Sequence, residues 1–357
     1  VEEGRGDAVL AAEASAGRGP AKLSADAEVS GVALEARRAV AEHCLYGVDI
    51  NPLAVEMAKL SLWLVTMDAS RPFGFLDDRL VAGDSLLGLV DMRQIEEVHV
   101  DPWRPLDPKR GQKLDLGGHA WRGRLGEAAR LRRQILAQPV VDVRSVERKQ
   151  QLLHQAQVES EDVAVVADAI TGIGLANAKV GDRQVDVLFA GLRTRLLTGD
   201  AGDALRESAR RHLQAGNPAG KAARVPLHWP VAFPEVFMAD DPGFDAIVGN
   251  PPFSGGQKQS GSLGGDYLAW LQRWDGAKRK GSADLAARFV LRAQRLLDSR
   301  GQLGFITTNT LTQGDTLDVG MGQAVERGLV VRAGPVSYTH LRAHETKANL
   351  VCRLLLE

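Results

Sequence analysis

The sequence contains very little cysteine. Its two cysteines, Cys44 and Cys352, lie in neither a Cys-x-x-Cys pair nor a Cys/His cluster. This usage excludes a disulfide framework and argues against a zinc site. The sequence also lacks an apolar run of membrane-spanning length and the charged, then apolar, start of a signal peptide. We therefore expect a cytoplasmic protein that makes no contact with a membrane.

An excess of either charge is equally absent. The 44 Lys and Arg residues are balanced by 45 Asp and Glu residues, which leaves a formal net charge of -1. Any contact with nucleic acid must therefore come from local basic patches, because the overall charge supplies no attraction. The hydrophobic content of 44% is typical of an ordinary globular protein, and the length of 357 residues predicts about two domains.

The first 100 residues follow a strand–helix–strand pattern. Two short apolar runs, LYGVDI (45–50) and RLVAGDSLLG (79–88), each lead into an acidic residue and are typical of strands. Between them, PLAVEMAKLSLWLVTM (52–67) is typical of a helix, with Pro52 in its first turn and apolar residues dense enough to bury most of it. Such alternation predicts a parallel sheet.

The character of the sequence changes between residues 101 and 228. This stretch combines abundant charge with helical spacing, which predicts a mainly helical insertion. Its arginines suit a surface that faces DNA, and they suit a solvated helical face equally well.

Patterns typical of strands return after the insertion, in HWPVAFPEVF (228–237), FDAIVGN (244–250) and QLGFITTNTL (302–311). A loop rich in Gly, Ser, Lys and Gln is expected up to Gly265, and an amphipathic helix within residues 282–301. Trp270 and Trp274 have helical spacing, which is more typical of a core than of a wedge into DNA.

Polar side chains follow three of the predicted strands, namely Asp49, Asp84 and Asn250. In open α/β sheets, ligands bind at the carboxyl ends of the strands. Asp49 suits the ribose of an adenosyl cofactor, but a nicotinamide dinucleotide site or a helix cap would offer the same acid. The Gly-x-Gly-x-x-Gly turn that a dinucleotide site needs is not seen before it. Asp84 could accept a hydrogen bond from an adenine amino group, although an Asp there is more often part of a turn.

The tetrapeptide Asn250-Pro251-Pro252-Phe253 places an amide, two prolines and an aromatic ring at a strand end. An amino group on an aromatic base is a poor nucleophile because its lone pair is delocalised into the ring. The Asn250 side-chain oxygen and the Pro251 carbonyl could accept its two N–H hydrogens, aimed by the rigid prolines. Phe253 would stack on the base, which must leave its duplex to be reached. A rigid turn would explain the prolines alone.

Five segments resemble, in this order, the class I adenine-N6 DNA methyltransferases, and among them the large type IIG restriction-modification and phage-defence methylases. These segments are GVDINPLAVEMAKLSLWL, GDSLLG, HWPVAFPEVF, FDAIVGNPPF and GQLGFITTNTLTQGDT. The resemblance implies a Rossmann-like α/β sheet, S-adenosylmethionine as methyl donor and a flipped adenine in double-stranded DNA as acceptor. Other restriction or defence subunits are implied as partners, and methyl transfer of this type requires no metal.

The resemblance also implies roles for individual residues. The ribose would be held by Asp49, the cofactor adenine would pack on Ile50, and its amino group would bind Asp84. The implied catalytic residues are Asn250, Pro251, Pro252 and Phe253, and the implied cofactor-binding residues are Asp49, Ile50, Asp84 and Ser85.

The resemblance divides the chain into a cofactor-side half (1–100), the mainly helical insertion (101–228), a catalytic half (229–335) and a tail (336–357). The family's first strand, with its Gly-rich loop, is not recognisable upstream of Leu45, so we expect a partial sheet. The tail resembles translated sequencing-adapter DNA, and we interpret it as non-native.

Two basic loops are candidates for contacts with DNA phosphates. One contains Lys258 in QKQSGSLGG, and the other contains Lys278, Arg279 and Lys280 in AKRKGS. Solvated loops that keep the protein soluble would have the same composition.

Two further functions share parts of this pattern. The Asn-Pro-Pro-aromatic motif also serves methylation of a protein glutamine or of an RNA guanine, although such enzymes are usually compact and the long insertion disfavours them. A methylase-like remnant that binds only DNA or protein is the non-catalytic alternative.

Overall fold

The computed structural model describes residues 31–66, 75–104, 118–198, 202–252, 256–276, 279, 283–333 and 351–356. The chain divides into two compact units. The first unit is Val1–Ala82 with Arg133–His154, and the second is Gly83–Arg132 with Gln155–Glu357. These units do not follow the four segments predicted from the sequence, whose functional division stays a prediction. None of the helices in the described ranges is long and apolar enough to cross a membrane.

The helices and strands alternate at the two ends of the chain, and helices fill its middle. In chain order they are α1 (Gly31–His43), β1 (Gly47–Asp49), α2 (Pro52–Val65), β2 (Leu80–Ala82), α3 (Met92–Glu96), α4 (Gly118–Ala137), α5 (Val143–Ala176), α6 (Asp182–Leu197), α7 (Asp203–Leu213), α8 (Trp229–Ala232), α9 (Pro234–Phe237), β3 (Phe244–Gly249), α10 (Gly256–Leu263), α11 (Gly265–Trp270), α12 (Leu285–Leu296), β4 (Leu297–Ile306), α13 (Gly314–Thr316), α14 (Gln323–Glu326), β5 (Leu329–Ala333) and β6 (Val351–Leu356). A π-helical turn, Leu271–Asp275, continues α11.

The first unit contains the strand–helix–strand pattern that the sequence predicts. Strands β1 and β2 pair in parallel, with Gly47 opposite Leu80 and Asp49 opposite Ala82. Helix α2 begins directly after β1, because the Asn51 side chain accepts a hydrogen bond from the Leu53 N–H at 3.0 Å and Pro52 occupies the first turn. The predicted βαβ unit is therefore confirmed.

The expectation that α2 is mostly buried is wrong. Val55 is its one buried residue, packed with Leu76 and Leu80. A stripe of large apolar side chains on the same helix is exposed: Leu53, Met57, Leu60 and Leu64. Within the described residues, the sheet on which α2 packs has two strands, which is too small to cover a second face of the helix.

The second unit contains a four-stranded sheet in the order β3-β4-β6-β5. Strands β3 and β4 are parallel, and the last pair in register is Gly249 opposite Phe305. Strand β6 lies antiparallel between β4 and β5. It belongs to the segment that we interpret from the sequence as a tail, and the origin of that segment stays a prediction.

The largest apolar core of the second unit lies among its helices. It joins residues of α5 and α6 with the loop after β2 and with α11. Trp270 and Trp274 are both buried in this core, which confirms the prediction for them. A second core packs α12 against β4 and includes Leu291, Leu303 and Phe305. The protein is thus a mixed helix–strand protein with parallel strand pairs, as the α/β prediction requires in its coarse form.

Two local predictions are wrong in the second unit. Residues 228–237 form two short helices, α8 and α9, where a strand is predicted, since Pro230 and Pro234 each stand in a first helical turn and cannot donate to a sheet. Residues 256–263 form helix α10 where a loop is predicted. Tertiary packing overrides composition there, because Gln259 is buried and donates to the Ala283 carbonyl at 3.1 Å.

A buried ion pair connects α4 to α9. The guanidinium of Arg132 donates to both carboxylate oxygens of Glu235, at 2.5 and 2.9 Å, and lies 5.8 Å from the centre of the Phe233 ring. Both charged groups are almost fully shielded from solvent.

We predict that Arg132→Met lowers the free energy of unfolding by about 3–5 kcal/mol, because it leaves the Glu235 carboxylate buried beside an apolar side chain. Urea unfolding followed by circular dichroism measures the change. The double variant Arg132→Met/Glu235→Leu should recover much of the loss, and Arg130→Met, which removes an exposed pair with Glu127 on the same helix, should leave the midpoint unchanged. Equal midpoints for the Arg132 and Arg130 variants would contradict the prediction.

Candidate active site

Asp49 and Ile50 lie at the carboxyl end of β1 and are exposed. One carboxylate oxygen of Asp49 accepts a hydrogen bond from the Asn51 N–H at 2.7 Å, which fixes the side chain beside the start of α2. Asn51, not Asp49, caps that helix. Ile50 exposes 72% of its surface. The strand end therefore presents an oriented carboxylate next to an apolar side chain, which fits the ribose and the base of a nucleoside.

Asp84 follows β2 by two residues and is 8% exposed. Its Oδ1 atom accepts hydrogen bonds from the N–H groups of Leu86 and Leu87, at 3.0 and 3.2 Å. The Tyr267 hydroxyl lies 2.8 Å from both carboxylate oxygens. Asp84 is therefore the turn residue of this loop, and it also accepts a hydrogen bond from a distant side chain.

Asn250 directly follows β3 and is exposed, whereas Pro251 is buried and Pro252 is exposed. The parallel pairing of β3 with β4 fixes the backbone up to Gly249. Burial of Pro251 anchors the next step of the chain, so the Asn250 side chain leaves the sheet from a rigid backbone. Phe253 lies outside the described residues.

The loop at residues 83–90, here called the Asp84 loop, is held by side chains from several elements. The Trp270 indole donates to the Leu86 carbonyl at 3.1 Å. Arg292 on α12 donates to the carbonyls of Leu86 and Gly88, at 2.5 and 3.0 Å. His228 accepts from the Leu89 N–H at 3.3 Å. Sequence reasoning missed Tyr267, Arg292 and His228 as supports of this loop.

Gly88 is required by the close approach of two backbones in this loop. Its φ angle is +131°, and a Cβ atom there would lie 2.1 Å from the Leu227 carbonyl oxygen. The Leu227 N–H in turn donates to the Leu87 carbonyl at 2.8 Å. Any larger residue would push the Asp84 loop away from the segment that leads into α8.

Arg292, which donates to the Asp84 loop, lies among other buried charged side chains. Arg292 forms an ion pair with Asp275 at 2.7 Å, and both side chains are buried. Burial raises the pKa of Asp275, while Arg292 opposes that rise. Burial also lowers the pKa of Arg288 and of Arg295 to about 10 each, so both guanidinium groups remain charged at neutral pH.

The four candidate DNA-contacting residues are only partly described. Arg279 is exposed, donates to the Asp318 carbonyl at 3.1 Å and forms an ion pair with Glu326. Lys258 is part of helix α10, where the sequence predicts a loop. Lys278 and Lys280 lie outside the described residues. Within the described ranges, no group of three or more His, Cys, Asp or Glu side chains could hold a metal ion.

Ser85 is the remaining predicted site residue. Its backbone carbonyl accepts a hydrogen bond from the Trp229 indole at 3.4 Å. The side chain is half-buried beside Asp84. Asp84 and Ser85 thus belong to one supported loop, whereas Asn250 is carried by a separate strand end.

Both parallel strand pairs are followed by acidic or amide side chains, the position at which open α/β sheets commonly bind ligands. A family model described as Eco57I restriction-modification methylase matches residues 43–320, which include every predicted cofactor-binding and catalytic residue. The chain belongs to this family of restriction-modification methylases. A methyltransferase of this kind accounts for the polar strand ends without a dinucleotide-binding turn.

The chain is also similar to a solved structure, at low sequence identity. The solved structure of the type IIL restriction-modification enzyme MmeI in complex with DNA is similar over 83% of this chain, with 13% sequence identity and a TM-score of 0.28. The match covers 39% of that enzyme, so this chain spans well under half of its length. A superposition this loose supports no argument about the site. No curated protein sequence matches the chain.

We predict that Asp84→Asn changes the pH dependence of stability. Burial raises the pKa of Asp84 above its ordinary value of 3.8, although Tyr267 and the Leu86 and Leu87 N–H groups oppose the rise. The folded state then binds more protons than the unfolded state, so ionisation of Asp84 lowers stability as pH rises from 3.8 through the folded pKa. The stability of Asp84→Asn relative to the wild type should therefore increase over that window.

Urea unfolding at a series of pH values tests this prediction. Asp245→Asn is the matched control, because Asp245 is exposed on β3 of the same unit. A stability difference between Asp84→Asn and the wild type that is constant with pH would show that Asp84 does not titrate abnormally.

Proposed function

We propose that this methylase transfers a methyl group from S-adenosylmethionine to N6 of an adenine flipped out of double-stranded DNA. The observation that carries the proposal is Asn250, an exposed amide that leaves a parallel strand from a backbone anchored by the buried Pro251. Membership of a restriction-modification family supports DNA as substrate and a restriction or phage-defence role. Other defence subunits as partners and a cytoplasmic location belong to the same proposal.

The chemistry required of Asn250 follows from the substrate. The N6 amino group of adenine donates its lone pair to the ring, so it attacks an electrophile poorly. Hydrogen bonds from its two N–H groups to the Asn250 side-chain oxygen and to the Pro251 carbonyl would draw the nitrogen toward tetrahedral geometry. Because both acceptors belong to one rigid backbone segment, little reorganisation would be needed when positive charge develops on the nitrogen.

Phe253 follows Pro251 by two residues in the sequence and is proposed to stack on the flipped base. A base outside its duplex has lost the stacking of both neighbours, and an aromatic face restores part of it. Stacking would also set the plane of the base, and thus aim its amino group at Asn250.

The cofactor-binding residues proposed are Asp49, Ile50, Asp84 and Ser85. S-adenosylmethionine, when bound, would supply the electrophilic methyl group. The oriented carboxylate of Asp49 would accept hydrogen bonds from the ribose hydroxyls, and the exposed Ile50 side chain would cover one face of the adenine. Asp84 would accept a hydrogen bond from the adenine amino group, with Ser85 next to it in the same loop.

A Rossmann-like sheet is part of this proposal. Its support is the parallel pairing of β1 with β2 and of β3 with β4, each pair with polar residues at its carboxyl end. Phosphate contacts are proposed for Lys258, Lys278, Arg279 and Lys280. Of these, Arg279 would have to exchange its ion pair with Glu326 for a phosphate, which an exposed pair can do at small cost.

We predict that Asn250→Ala lowers the rate of adenine methylation by at least about 100-fold, the loss typical of removing one preorganised hydrogen-bonding group from a transition state. Binding of S-adenosylmethionine should be unchanged, because Asn250 contacts the acceptor base. Transfer of a tritiated methyl group to duplex DNA measures the rate, and calorimetry measures cofactor binding.

Asp245→Ala is the control for a change on the same exposed strand, and it should methylate normally. Near-normal methylation by Asn250→Ala would contradict the proposed role. Protein and RNA acceptors assayed in parallel distinguish DNA from the other substrates of this motif.

We predict that Asp49→Ala weakens binding of S-adenosylmethionine by about 10- to 100-fold, as expected for loss of a hydrogen bond to a charged group. Isothermal titration calorimetry measures the dissociation constant. Glu56→Ala, which removes an exposed carboxylate from α2 in the same unit, should bind the cofactor normally. If both variants bound it as the wild type does, Asp49 would not hold the ribose.

A further inference from the structure

Tyr267 is a buried residue with a polar hydroxyl group, and it has no role in the proposed function. It is 4% exposed on α11, and its hydroxyl lies 2.8 Å from both carboxylate oxygens of Asp84. A hydroxyl group has one proton, so this symmetrical position shares it between the two oxygens. A hydrogen bond to an ionised carboxylate is stronger than one between neutral groups, and the two equal distances favour one orientation of the carboxylate plane.

The hydrogen bonds of Asp84 leave one oxygen with spare capacity. Oδ1 accepts from the Leu86 and Leu87 N–H groups as well as from Tyr267. Within the described residues, Oδ2 accepts from Tyr267 alone. A carboxylate oxygen has two lone pairs, so Oδ2 can accept one further N–H.

The position of Tyr267 in the chain gives this contact a second consequence. Helix α11 follows α10, and both lie downstream of Asn250 in the chain. Arg224 also contacts this segment, since it donates to the Leu263 carbonyl at 2.8 Å and lies 5.6 Å from the centre of the Tyr267 ring. Tyr267 therefore connects the Asp84 loop to the segment that follows Asn250.

We propose that Tyr267 is a positioning residue whose hydroxyl orients the Asp84 carboxylate, so that Oδ2 receives the adenine amino group of the cofactor. The inference rests on the proposed function, because it deepens the role of Asp84 in that site. It also makes cofactor binding at Asp84 depend on the segment that follows Asn250.

The charge state of Asp84 depends on the same contact. Burial raises the pKa of Asp84, and the Tyr267 hydroxyl is the first of the groups that oppose this rise, followed by the two N–H groups and Arg292. Arg292 shares its charge with Asp275, and Arg224 faces the Tyr267 ring. Loss of the hydroxyl would therefore raise the pKa of Asp84 further, and a protonated carboxyl is a poorer acceptor.

The test compares binding of S-adenosylmethionine by the wild-type protein, Tyr267→Phe, Trp270→Phe and Asp84→Asn across a series of pH values. Tyr267→Phe keeps the ring and removes the hydroxyl. Trp270→Phe removes a bond from the same helical segment to the same loop, at Leu86, without touching Asp84. The two variants thus separate orientation of the carboxylate from general support of the loop.

We expect Tyr267→Phe to weaken cofactor binding by about 10-fold at neutral pH, the size of one hydrogen bond to a charged group. Protonation of Asp84 should weaken cofactor binding in both proteins as pH falls. In Tyr267→Phe this loss of affinity should begin at a higher pH than in the wild type. In steady state, KM for the cofactor should rise more than kcat falls. In Trp270→Phe, cofactor binding should weaken at the same pH as in the wild type.

Three outcomes of this comparison would overturn the inference. In the first, folded Tyr267→Phe binds the cofactor like the wild type at every pH while Asp84→Asn binds it weakly, and the proposed function survives. In the second, Tyr267→Phe and Trp270→Phe weaken binding equally without displacement of the pH profile. If Asp84→Asn itself bound normally, the adenine contact at Asp84 would be wrong, and the inference with it.

A second substitution covers failure of Tyr267→Phe to fold. Difluorotyrosine at position 267 keeps the shape of the side chain and makes its hydroxyl a stronger donor. The pH profile of cofactor binding should then move to lower pH, opposite to the direction expected for Phe. An unchanged profile would contradict the proposed role of the hydroxyl.

Discussion

The Asp84 loop depends on hydrogen bonds from residues far away in the sequence. His228, Tyr267, Trp270 and Arg292 reach it across separations of 139, 183, 184 and 206 residues. Each bond contributes only about 1 kcal/mol net, but leaving its buried partner unsatisfied would cost about 1–3 kcal/mol. The position of Asp84 therefore depends on the packing of the helical segments that carry these side chains.

Burial of the charged side chains around the Asp84 loop favours a single packing of helix α12. Asp84, Asp275 and Arg292 lie in surroundings that penalise every unpaired charge, and Arg292 contacts both the Asp84 loop and Asp275. An alternative packing of α12 would separate Arg292 from two carbonyls and one carboxylate together. These polar contacts thus fix the position of α12 along the Asp84 loop. The apolar face of the helix alone would allow more than one position.

The sequence predicts the residues whose environment is local and misses those whose environment is not. Asp49, Asp84 and Asn250 are recognisable because a strand, a turn and a proline pair stand next to them in the chain. Tyr267 and Arg292 carry no local signal of their partners. The best clue is chemical, since a Tyr on a helix among buried tryptophans needs an acceptor for its hydroxyl. Helix α10 and the exposed face of α2 were missed for the same reason, because tertiary contacts decide both, whereas Pro230 and Pro234 were a local signal for α8 and α9.

Asn250 and Asp84 differ in exposure in the way that the two proposed substrates require. A base that arrives attached to DNA must find its acceptor from outside, and Asn250 is exposed at the end of β3. A small cofactor can be recognised in a buried place, where an acceptor left unpaired by a wrong ligand costs more than it would in water. Asp84 has that burial, and its hydrogen bonds leave one oxygen able to accept. Tyr267 on α11, downstream of Asn250 in the chain, contacts Asp84, so under the proposed function the segment after the catalytic amide also orients the cofactor's acceptor.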